Sequence, residues 1–169
     1  MSKKNTLMIV AITLLILVSA IGAAAAAGDL ETDLAQVRAS TARFHRPEAA
    51  MAEGWGILPI LDHCVELPGV GGEGYHLTKL ANIDTTLDLR DPEALVYAPG
   101  PNDQWQLAAV AYVVNAAQWD AEGHAEPPSL MGQSFHYFPL TKNYVLHAWV
   151  WRNNPAGMFD DWNPEVSCP

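Results

Sequence analysis

Eight consecutive residues, Leu107-Ala-Ala-Val-Ala-Tyr-Val-Val114, carry no charge and no polar group except one phenol. In a strand, successive side chains point to opposite faces, so a run apolar at every position must be covered on both sides. The run is therefore expected at the centre of a sheet, and its alanines let the covering layers approach closely. Pro99-Gly100-Pro101-Asn102-Asp103 just before it is turn chemistry. Ala94 to Ala98 and Trp105 to Val114 then read as the two arms of a hairpin.

Helical signals precede the strands. Leu30, Leu34, Val37, Thr41 and Phe44 follow one another at spacings of four and three, a largely apolar stripe on a helix over Asp29 to Phe44. Asp29 suits its cap, and Glu31 and Asp33 sit where the helix dipole favours acids. Pro47 suits the first position of a second short helix to Glu53, closed by Gly54. Gly56 to Gly74, dense in proline and glycine, reads as a structured loop and Tyr75 to Lys79 as a short strand. Ala116 to Met131 reads as a long polar connection. Ser134 to Phe138 and Tyr144 to Trp151 form a second hairpin, and the tail from Asn153 wraps the surface, held by Trp162 and Cys168. Helices first and antiparallel strands afterwards give an α+β fold: an N-terminal helical pair packed on a single mainly antiparallel sheet, with an irregular C-terminal tail.

Lys3 and Lys4, the apolar stretch Leu7 to Ile21 and the alanines to Ala27 have the layout of a secretory signal peptide. Residues 1–27 are expected to be removed, leaving residues 28–169 as one exported domain, periplasmic or extracellular. An uncleaved segment would instead anchor the chain in a membrane. With 9 basic against 19 acidic residues the chain has net charge −10, which argues against nucleic acid as a partner. In an oxidising compartment the two cysteines, Cys64 and Cys168, are expected to pair and tie the tail to the body. Nothing in the pattern specifies an oligomeric state.

Three of the six histidines, His76, His136 and His147, fall in expected strands. A loop of Leu140 to Asn143 would pair Pro139 with Tyr144 and set His136 opposite His147, close enough for two imidazoles to share a metal. His76 could supply a third ligand, and Glu73, three residues earlier, a carboxylate. Such sets suit a divalent Zn, Cu, Mn or Fe ion. By the two-residue period Trp149 and Trp151 would share the His147 face and could wall a pocket, although aromatics at such positions also serve as plain core. Asp160 and Asp161 fall in a loop and are expected in solvent. His45, His63 and His124 are expected at the surface.

There is no C-x-x-C-H motif for covalent haem, no P-loop and no dinucleotide fingerprint, so neither covalent haem nor a nucleotide is expected. The stretches Pro127 to His136 and Leu146 to Cys168, with Arg43 to Trp55 and Gly74-Tyr-His76, resemble an uncharacterised group of exported bacterial proteins. That resemblance implies export and a bacterial source, and it carries over no activity and no site residue. Three functions stay open on the residues. They are an exported domain binding a metal or small ligand, a metal-dependent enzyme using the same histidines, and an interaction protein in which the histidines are structural.

Overall fold

The computed structural model describes residues 29–169, so the leader expected over residues 1–27 lies outside the described residues. Helix α1 covers residues 29–41 and tightens into a 3₁₀ turn at Ala42–Phe44. Its stripe is buried as the period requires, with Leu34, Val37, Thr41 and Phe44 all shielded from solvent. Helix α2, Pro47–Ala52, begins on its proline and gives way to Gly54 at φ 94°. Among the described residues no helix is long and apolar enough to cross a membrane.

The strands are β1 (Val65–Leu67), β2 (Gly71–Thr78), β3 (Ala94–Pro99), β4 (Trp105–Asn115), β5 (Ser129–Leu130), β6 (Gln133–Ser134), β7 (His136–Phe138) and β8 (Asn143–Ala148). Six of them form one curled sheet in the order β1-β2-β3-β4-β8-β7, every neighbouring pair antiparallel. The apolar run lies inside β4, between β3 and β8, as its two faces demand. β5 and β6 make a separate small hairpin.

One face of the sheet receives the helices. Leu95, Tyr97, Val110, Tyr112 and Leu146 meet Leu34, Val37, Phe44 and Trp55 there. Each such burial is worth about 1.5–3 kcal/mol. The phenol of Tyr97 donates to the Phe44 carbonyl at 2.8 Å, so the one polar atom that ring buries is satisfied. The opposite face is built from small residues, among them Ala94, Ala98, Ala109 and Ala111, and at one end Trp149 and Val166 cover it. The Cys64–Cys168 disulfide joins the start of β1 to the tail across 104 positions.

Four local expectations are corrected. Gly71 to Gly74 are part of β2, not loop, because a neighbouring chain lies against them: a side chain at Gly71 would strike the Asn163 carbonyl. The stretch after β4 is not all connection, since Ala116–Ala121 forms helix α3, capped by the Asn115 side chain accepting from the Gln118 amide. The tail is fixed by Asn163, fully buried and bridged to Gly72, and by Val166; Trp162 stays half-buried. The second hairpin closes with Phe138 opposite Asn143, so His136 pairs with Val145, two residues from the expected His147. A four-residue loop moved earlier by one position on each strand keeps parity while sliding the register by two.

Candidate metal centre

Glu73 and His76 are three apart on β2, a spacing that puts side chains on opposite faces of a regular strand. A β-bulge reverses this. Val65 pairs with Gly74 and Glu66 with Gly72, which leaves Glu73 as the extra residue. Gly74, at φ 106°, makes the turn possible, and a side chain there would strike the Tyr97 carbonyl. Glu73 is thus re-aimed to the face that carries His76.

His147 reaches the same place from β8, with two strands between. It lies opposite Ala111, which lies opposite Ala94, while His76 lies opposite Val96. Neighbouring strands are about 4.8 Å apart, so β2 and β8 would be about 14 Å apart in a flat sheet. The curl of the sheet and the alanines beneath let the rings lean together, with centroids 5.9 Å apart. Larger residues at 94 and 111 would fill that space.

One ligand atom from each of Glu73, His76 and His147 lies within 4.8 Å of the others, and all three residues are buried, 4–5% exposed. His76 Nε2 is 3.3 Å and His147 Nε2 4.0 Å from Glu73 Oε2. Donors about 2.0–2.1 Å from one tetrahedral centre stand about 3.3 Å apart. The donors stand somewhat wider than that, within 4.8 Å of one another, so the group could hold a metal ion once the side chains draw together. His147 Nε2, which faces Glu73, has no hydrogen-bond partner, an arrangement that is costly unless something else uses the nitrogen.

Asp161 supplies the support. Its Oδ1 accepts from His147 Nδ1 at 2.9 Å, which fixes the tautomer and aims the Nε2 lone pair at Glu73 and His76. Its other oxygen lies 3.2 Å from His136 Nε2. His136 is therefore on the expected face but outside the three-residue group, held at the rim by Asp161. The expectation that Asp161 is a solvated loop residue is overturned, because the loop is folded back under Trp149. That indole donates to the Asp160 carbonyl at 2.7 Å, and the Trp149 amide donates to Met158. Trp149 is a clamp for the Asp161 turn and Trp151 packs toward the helices, its indole donating to Thr41 Oγ1, so neither walls the cavity. Strand β8 ends at Ala148, where the Val150 amide turns back to the Ala148 carbonyl and alternation stops.

Burial sets the electrostatics. It drives His76 down to about 3, helped by the adjacent His147 and opposed by the Gly74 backbone, so the ring is neutral in ordinary solution. Burial pushes the Glu73 carboxyl up, with His147 opposing and Asp161 adding to the rise. Burial also works against charge on His147, yet Glu73 and Asp161 outweigh it and its pKa is raised. Asp161 is held below the usual range because its bond to His147, that ring's charge and His136 overcome partial burial.

Above the group opens a cavity of about 360 Å³, lined by Glu73, His76, His136 and His147 and otherwise mostly by apolar side chains, with Thr78, Thr141 and Asn143 among them. His45, His63 and His124 are exposed, as expected, and take no part. Comparison of the chain with protein-family models, curated proteins and solved structures gives no match. The chemistry of the site has to be read from its own residues.

Proposed function

We propose that this protein is an exported domain that holds a divalent metal ion through Glu73, His76 and His147, with a coordination position open to the cavity for a small ligand. The observation that carries this reading is the convergence of three buried donors, one of them an imidazole with its far nitrogen tied to a carboxylate and its near nitrogen unpartnered. Imidazole and carboxylate donors in this number suit Zn, Cu, Mn or Fe. The disulfide supports residence in an oxidising compartment.

A second reading shares the site. Three protein ligands beneath an open cavity are the arrangement of catalytic zinc, whereas structural zinc is closed by four. In that reading a metal held there would polarise a bound water or substrate, with Glu73 as its ionised ligand. Metal analysis of untagged protein, with His147→Ala as the control, tests both. The expected result is about one equivalent of metal, lost in the variant while the disulfide and secondary structure remain. Metal kept at full stoichiometry in His147→Ala removes the site, and protein that takes up no metal leaves the histidines in structural roles.

A further inference from the structure

The cavity over the metal group has a polar floor and apolar walls. Leu58, Leu61, Ile83 and Val113 form part of its sides. Ile60, Leu80 and Leu140, which also line it, are 44%, 64% and 56% exposed. These last three come from different segments: the 3₁₀ turn Pro59–Leu61, the 3₁₀ turn Leu80–Asn82, and the β7–β8 turn. Single exposed apolar residues are ordinary on a protein surface. Three on separate loops around one opening form a contiguous apolar entrance.

The volume lies at the lower end of the range for small-molecule sites, about 300–1,000 Å³. Polar groups are few. Besides the floor there are Thr78, Asn143 and Thr141, the last with a buried hydroxyl that has no partner. A ligand with polar groups along its whole length would leave them unpaired against the walls. A wholly apolar ligand would leave the metal position and the Thr141 hydroxyl unused.

We propose that the cavity binds a small amphiphile of medium length, its carboxylate head on the metal and its hydrocarbon body along the apolar walls. This rests on the metal-site reading above. Coordination selects the head, because the ligands Glu73, His76 and His147 bring a single negative charge to a divalent cation and leave it able to take an anionic oxygen, while the Asp161 carboxylate behind His147 offsets part of the remaining charge. The walls select the body, and the cavity size excludes a long acyl chain from being wholly enclosed.

The test uses zinc-loaded protein, with zinc content measured in every sample, titrated calorimetrically with octanoate, acetate and 1-octanol. Each buried methylene strengthens binding about fourfold. Octanoate is therefore expected to bind once per zinc, at least about a hundredfold tighter than acetate, and at least tenfold tighter than octanol. Leu80→Glu and Leu140→Glu change side chains more than half exposed, so they should keep fold and zinc while weakening octanoate at least tenfold. Zinc uptake with equal affinity for acetate and octanoate, or for octanol and octanoate, overturns the proposal and leaves the metal site standing. Unchanged octanoate binding in both variants also overturns it. A protein that takes up no zinc removes the metal site and the proposal with it.

Discussion

Replacing Glu93 by Gln should stabilise the protein in alkaline solution and leave it unchanged in acid. Glu93 precedes β3, is 3% exposed, and accepts the Val113 amide at 2.8 Å through Oε2. Burial raises its pKa from 4.5 to about 8, opposed by that hydrogen bond and its own amide and reinforced by Asp84 and Asp91. The folded state therefore keeps a proton that the unfolded chain releases across that interval. Because the folded state binds more protons there, stability falls as pH rises, by up to about 1.4 kcal/mol per pH unit. The loss begins near the unfolded value and is complete above the folded one. Over the whole interval it reaches at most about 5 kcal/mol, and relaxation around the charged group reduces what is measured to about 2–5 kcal/mol. Gln keeps an oxygen for the Val113 amide and cannot ionise. Urea unfolding of both proteins from about pH 4.5 to 9 checks this. The difference should be under about 0.5 kcal/mol at the acid end and grow to about 2–5 kcal/mol at the alkaline end, a midpoint shift of order 1–2 M. Glu73 titrates in both proteins and cancels in the difference. A difference that is constant with pH, or a Gln variant less stable at pH 9, would refute the reasoning.

Asp161→Asn should weaken zinc about 10–100-fold, measured by competition with a chelator, because the amide cannot hold His147 Nδ1–H as a carboxylate does. His136→Ala should change zinc affinity far less, since His136 touches only Asp161 among these residues; a loss equal to that of His147→Ala would make it a ligand. Zinc affinity should fall on acidification, since His147, whose pKa is raised, must lose its proton to bind metal; chelator competition across pH checks this, and an affinity independent of pH would contradict it. Reducing the Cys64–Cys168 bond should cost about 4–5 kcal/mol of stability for a closed loop of this length, read by urea unfolding with and without reductant.

The sequence by itself determined several features that rest on near neighbours. The helical stripe, the proline start of α2, the turn at residues 99–103 and the two-faced run in β4 are local patterns, and local sterics and burial enforce them. The pairing of Cys64 with Cys168 was legible too, because export and cysteine number leave one bond to make. The candidate site was half legible. Glu73, His76 and His147 carry the right donors, but parity was legible only for His136 and His147, and His136 lies outside the group. Asp161 and the cavity were not legible, for they depend on a tail folded back under Trp149 and on three loops that converge from distant parts of the chain. The register of β7 on β8 turned on a single residue of loop, which no local pattern specifies. Gly71, Gly72 and Gly74 looked like loop because their reason for being glycine, the tail and β3 pressed against them, lies far away in sequence. What brings His76 within reach of His147 is the curl of a sheet over alanines on two intervening strands. That curl is set by packing across the whole domain, and only the tertiary structure decides it.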